Sequence, residues 1–209
     1  MIRDFFSEFD TPVDKIIREE YFPDYLYKGV FIDVGAADPI EINDSWHFEL
    51  NGWDTLCIEP NPIYAKKLRS VRKLVVETAI STFPDEFLDF KVMTHHGNND
   101  MSLSSISPPK TYVDAHKDYC FTEKTIKVRN MSLRKLIDEY FMERKIDILK
   151  IDVEGWELDV LKSLNLSIYK PEIIVVENLL HDPSYNSFIC PFGYKMEKSV
   201  RHNYFYRKI

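Results

Sequence analysis

The sequence predicts an α/β domain built on a doubly wound, mostly parallel sheet that closes with a C-terminal antiparallel hairpin. Three observations predict it. Four short, mostly apolar runs, at residues 30–34, 55–58, 147–151 and 173–176, read as strands buried on both faces. Helical patterns separate these runs, as crossover connections between parallel strands require. Residues 194–196 and 204–207, near the C-terminus, read as an antiparallel hairpin.

In chain order, residues 1–28 mix acids with aromatics (Phe5, Phe6, Phe9, Tyr21, Phe22, Tyr25, Tyr27) and read as an N-terminal helical cap on a main domain of residues 29–209. The first strand, at 30–34, runs into a tight turn at Gly35. A helix follows over residues 44–50, with Asp44 or Ser45 as its cap. After the second strand, Asn61-Pro62 pairs an N-cap residue with proline at the first helical position and opens a helix through Arg69. Residues 74–80 read as a third strand and residues 87–93 as an alternating edge strand. Residues 94–119 are irregular and long enough to be functional. Leu133, Leu136, Ile137, Tyr140 and Phe141 place one apolar stripe on a helix over 132–144. A further helix is expected over 155–164.

With 44% hydrophobic and 14% aromatic residues in 209, one compact domain with a substantial core is expected. No apolar run approaches the ~20 residues of a membrane span, and the acidic N-terminal stretch does not read as a secretory signal. Cys57, Cys120 and Cys190 are widely spaced and form no CxxC pair, which points to a reducing, cytoplasmic setting. A net charge of −7 without a basic stripe argues against nucleic acid as partner. It leaves a small-molecule or glycan substrate, with self-association into a homo-oligomer open.

In doubly wound sheets ligands bind outside the carboxyl ends of the strands, and acids gather there: Asp33 after the first strand, Glu59 after the second, Asp152 and Glu154 after the fourth, Glu177 with Asn178 after the fifth. The loop at residues 33–38 keeps Gly35 but replaces the later glycines of a dinucleotide fingerprint with alanines. Glu59, 24 positions beyond Gly35, is placed to accept the ribose hydroxyls of an adenosine cofactor or, alternatively, to cap the next helix. A pyrophosphate needs the full glycine set. S-adenosylmethionine carries no phosphate and a positive sulfonium, so an acidic rim suits it better.

These segments carry a resemblance. FIDVGAADP, CIEPNP, SLRKLIDEY, DILKIDVEGWELDVLKSL and PEIIVVEN resemble the FkbM-type methyltransferase family in order and spacing, KIDVEGWELDVL most specifically. The resemblance implies a class I methyltransferase (Rossmann-like) fold and O-methylation of a hydroxyl, often on a sugar, sugar nucleotide or glycan. It implies Asp33, Gly35 and Glu59 as cofactor contacts, with Asp152 and Glu154 at the active-site rim. Ala36, Asn61, Ala79 and Ser102 complete the expected cofactor set. The alanine-rich first loop and residues 83–127 depart from the family pattern.

Asp152 with Glu177 and Asn178 is also similar to the metal triad of catechol-type and macrolide-sugar O-methyltransferases, and suits a divalent Mg²⁺ or Mn²⁺. Such a cation would lower the acceptor's pKa and align it; the other reading is a solvated polar rim. His181 is the expected general base, although a lone loop histidine is as often a surface residue. His95 and His96 belong to a substrate lid or to a solvated loop, and His47 to the scaffold. Trp46 and Trp53 are expected in the core, and Trp156 is the stacking candidate. Two rival functions keep the fold: a methyltransferase with a protein or other small-molecule acceptor, and a non-catalytic module that binds cofactor or glycan.

Overall fold

The computed structural model describes residues 4–95, 104–106, 114 and 120–209. Its main sheet has seven strands. The parallel part comprises β1 (Val30–Val34), β2 (Asp54–Ile58), β3 (Val75–Val76), β7 (Ile148–Ile151) and β8 (Ile173–Glu177). The hairpin of β9 (Tyr194–Val200) and β10 (Asn203–Lys208) completes it, in the order β3-β2-β1-β7-β8-β10-β9. β10 pairs antiparallel with both β8 and β9, so the expected closing hairpin is present.

Burial on both faces follows from the alternation of side chains along each strand. Ile32, Val34, Leu149, Ile151, Ile174 and Val176 join one core. It also holds Leu133, Leu136, Ile137 and Phe141 of helix α4 (Leu133–Phe141) and Val160 and Leu161 of α5 (Glu157–Lys162). Phe31, Ile148, Ile173 and Val175 point the other way, onto Phe48 of α2 (Trp46–Leu50), Trp53, and Val13 and Ile17 around α1 (Val13–Ile16). Arg18 is fully buried in this second core, stacked over Tyr25, Phe48 and Trp53 and donating to the Phe22 carbonyl.

Most elements fall where the sequence puts them. Asn61 caps α3 (Pro62–Arg69) by accepting from the Ile63 amide, with proline at the first position. Ser132 likewise caps α4. Tyr140, the fifth residue of the predicted stripe, is 39% exposed. α5 starts two residues later than predicted because Glu154 and Gly155 take positive φ (60° and 98°) and form a turn instead.

Two expectations are corrected. Residues 74–80 are not one strand: β3 pairs with β2, whereas β4 (Ala79–Ile80) joins a separate three-stranded sheet. That sheet also contains β5 (Phe87–His95), which is paired antiparallel along its length with β6 (Cys120–Met131). β6 is a 12-residue strand rich in Lys, Thr and Arg, and local hydrophobicity gives little sign of it. Phe90, Val92, Val128 and Ala79 form its small core.

Candidate functional site

A cleft of about 730 Å³ opens over the carboxyl ends of β1, β2, β7 and β8. Its walls come from the first loop, the turn after β7, the tip of the C-terminal hairpin and residues 8–13 of the N-terminal segment.

The first loop is pinned from beneath. Gly35 has φ +85°, and a Cβ there would lie 1.7 Å from the Asp152 carbonyl oxygen. Its amide and that of Ala36 both donate to the Ile58 carbonyl, at 2.9 and 3.2 Å. Gly35 is therefore required where β1 meets β7, a packing reason distinct from the close ligand approach its size suggests. Asn43 holds the loop from the side, donating to the carbonyls of Ala36 and Asp38. Its Oδ1 accepts from the buried Arg72, which is paired with Glu49 at 2.7 Å.

Glu59 closes the edge. Its two oxygens accept from the Ala37 amide at 3.0 Å and the Asn61 amide at 2.7 Å. Burial pushes its carboxyl up to about 7, against the pull of those two amides. Asn61 does not line the cleft, while Ala79 does, beside Thr78 and Ile80. Ser102 lies outside the described residues, as does His96. Ser104 lines the cleft, and Ser105 donates to the Glu154 carbonyl at 2.8 Å, tying the small sheet to the turn after β7.

Lys150, in the middle of β7, was not singled out from the sequence, yet its ammonium organises the floor. It lies 3.3 Å from Asp152 Oδ2, 3.4 Å from Asp44 Oδ2 and 4.0 Å from Asp33 Oδ1. Burial alone would strip its proton, but Asp152, Asp44 and Asp33 together hold its pKa above the usual lysine range. Asp44 in turn is pushed up to about 6 by burial, with Lys150 pulling the other way. Asp33 Oδ2 accepts from Ser45 at 2.6 Å, whereas its Oδ1, on a side chain 1% exposed, has no hydrogen-bond partner among the described residues. The signal for Lys150 was available: a charge within a buried apolar strand persists only when paired.

Past β7 and β8 three carboxylates converge. Asp152, Glu157 and Glu177 bring oxygens within 4.8 Å of one another. Glu157 is the buried member: Oε1 accepts from the amides of Val153 and Gly155, Oε2 from the Tyr185 hydroxyl. Glu177 is raised well above the carboxylate range by burial, then by the neighbouring Asp152, Glu154 and Glu157. Glu154 lines the cleft on its strained turn.

The structure does not bring Asn178 to this cluster. It is buried, and its amide exchanges hydrogen bonds with the backbone of Asp182, at 2.8 and 3.0 Å. His181 is exposed, held by the Tyr204 hydroxyl at 2.7 Å, and does not line the cleft. The imidazole in the wall is that of His202, at the hairpin tip between Arg201 and Asn203. Trp156 lines the cleft edge-on to Phe83, and Trp53 is fully buried in the core.

Sheet order, strand-end acids and a cleft above them suit a methyltransferase domain. The methyltransferase FkbM domain model matches residues 33–196, and the chain belongs to that family. No curated protein sequence matches this one.

Proposed function

We infer that the chain is an S-adenosylmethionine-dependent O-methyltransferase of the class I (Rossmann-like) plan, acting on a hydroxyl of a sugar or glycan. The observation that carries this reading is the convergence on one cleft of carboxylates from four adjacent strand ends, with Glu59 at one side and Glu177 at the other. The residues suit the cofactor. Each Glu59 oxygen keeps a lone pair for a ribose hydroxyl after accepting its backbone amide. The buried Oδ1 of Asp33, 4.0 Å from Lys150 Nζ but without a hydrogen bond among the described residues, is the acceptor that a donor on the cofactor's amino-acid part would satisfy.

When bound, S-adenosylmethionine supplies a methyl group on a positive sulfur, which leaves with the C–S bonding electrons as the acceptor oxygen attacks. The chain's own part is placement and charge. Asp152 and Glu177 hold the acceptor hydroxyl. Glu177, made a stronger base by burial and then by its acidic neighbours, takes the proton in its ionised form as the O–C bond forms. Lys150 holds Asp152 in place through an ion pair at 3.3 Å. His181 is given no part in the step, because it does not line the cleft and its ring is held by the Tyr204 hydroxyl.

The expected metal triad does not fit. Asn178 is committed to Asp182, both Glu157 oxygens already accept protein donors, and Asp152 faces a resident ammonium. No step is routed through an ion. Calorimetry tests the reading first: S-adenosylmethionine and S-adenosylhomocysteine should bind at sub-millimolar concentration, and failure of both to bind sinks it. Glu177→Gln should then retain cofactor affinity within about twofold while methyl transfer falls ~10²–10⁴-fold, the usual worth of a general base. A drop of less than tenfold removes Glu177 from that role.

A further inference from the structure

One corner of the cleft is left unused by the chemistry above. It is built by two distant parts of the chain, residues 8–13 and the hairpin tip at 201–203, clasped together by the Asp10–Arg201 ion pair. Thr11 is 5% exposed, yet its hydroxyl has no hydrogen-bond partner among the described residues. The buried Oδ1 of Asn203 is in the same condition, and Asn203 stands opposite Glu177 in the β8–β10 register. A buried hydroxyl or amide left unpaired is destabilising, and both of these belong to residues that line the cleft. Thr11 and Asn203 lie outside the 33–196 family match.

Charge decides what can enter. Among the described residues, nine carboxylates line the cleft against three cations. All three cations are engaged within the protein: Lys150 by Asp152 and Asp44, Lys67 by Asp38 at 3.3 Å, and Arg201 by Asp10. A phosphate would meet repulsion without a free basic partner, whereas the hydroxyls of a polyol could pair with Thr11, Asn203 and the acids.

We propose that this corner is the acceptor subsite, that Thr11 and Asn203 hydrogen-bond hydroxyls of an uncharged sugar ring whose neighbouring hydroxyl lies at Glu177, and that phosphorylated sugars are excluded. The proposal rests on the methyltransferase reading and narrows its acceptor from sugars in general to unphosphorylated ones.

The test uses the full chain saturated with S-adenosylhomocysteine. Saturation-transfer NMR measures binding of neutral hexoses, deoxyhexoses and pentoses beside the matching sugar 1-phosphates. At least one neutral sugar should bind, and its 1-phosphate should bind at least ~10-fold more weakly, about the worth of one repulsive or unpaired polar contact. Thr11→Val and Asn203→Leu should each weaken the sugar ~10-fold while leaving S-adenosylhomocysteine affinity unchanged, and Thr11→Ser should restore binding. Three results overturn the proposal: no neutral sugar binding at tens of millimolar, phosphates binding as tightly, or both variants binding like the parent. Failure of S-adenosylhomocysteine itself to bind would instead remove the methyltransferase reading, and this corner's role with it.

Discussion

Replacing Lys150 by Met removes the one ammonium facing Asp33, Asp44 and Asp152 while roughly keeping the length of the side chain. Breaking a buried ion pair by deleting one partner costs about 3–5 kcal/mol, because the remaining charge stays buried. Two of the stranded carboxylates are well covered, Asp33 at 1% and Asp44 at 12% side-chain exposure, and Asp152, at 28%, is partly hydrated. The loss at pH 8 should therefore be about 4 kcal/mol, or roughly 8–16 °C in Tm for a chain of this size. It should shrink at pH 5. Asp44 is already pushed up to about 6 with Lys150 present, and without the ammonium it rises further, so at pH 5 it is protonated and no longer a stranded charge. The native variant then binds more protons than its unfolded chain, and its stability falls with rising pH more steeply than the parent's. Urea denaturation at the two pH values, with Lys150→Arg as the charge-keeping control, measures both numbers. A loss below about 1 kcal/mol at pH 8, or an equal loss at both pH values, refutes the floor described here.

Gly35→Ala should cost at least about 3 kcal/mol in denaturation, since its Cβ would overlap the Asp152 carbonyl. Gly193→Ala, with similar φ (+87°) but nothing within 4 Å, should cost only about 1–2 kcal/mol; equal costs would show that the clash is relieved. Exhaustive EDTA treatment should leave methyl transfer within about twofold, because Lys150 faces Asp152; a tenfold loss restored by Mg²⁺ would restore the metal reading. Stability of the ligand-free protein should fall as pH rises from 5 to 8. Glu59, raised from 4.5 to about 7, holds a proton in the folded state that the unfolded chain has released, worth about 3 kcal/mol over that window. Asp44 acts in the same direction, while His47, lowered by burial, opposes them around pH 6. Stability that climbs steadily to pH 8 would contradict this assignment.

The parts of the fold that were legible are those whose cause is local. β1, β2, β7 and β8 announce themselves because a strand buried on both faces must be apolar throughout. α3 and α4 do so because Asn61-Pro62 and Ser132 carry their caps in sequence. The strand-end acids are legible for the same reason, since topology places every residue after a parallel strand on one rim. β6 was missed because its apolar partners, Phe90 and Val92, are more than 30 positions away and its own outer face is Lys, Thr and Arg. Residues 74–80 read as one strand because nothing local tells Val76 from Ala79 in the choice of sheet.

The site divides along the same line, and the division explains which expected residues lie away from the cleft. Asn178 and Asp182 are four apart and exchange backbone bonds, a local turn that competes with any ligand role for the amide. His181 and His202 are equally polar loop histidines. Only the closure of β10 against β8 turns His202 into the wall and leaves His181 on Tyr204. The acceptor corner is the extreme case: Asp10 and Arg201 stand 191 positions apart. No window of sequence can show a pocket whose two walls meet only after both ends of the chain have docked on the finished sheet. A cofactor edge carried by short strand-to-loop segments can be shared across a family, whereas an acceptor corner assembled from the chain's ends can change without disturbing it.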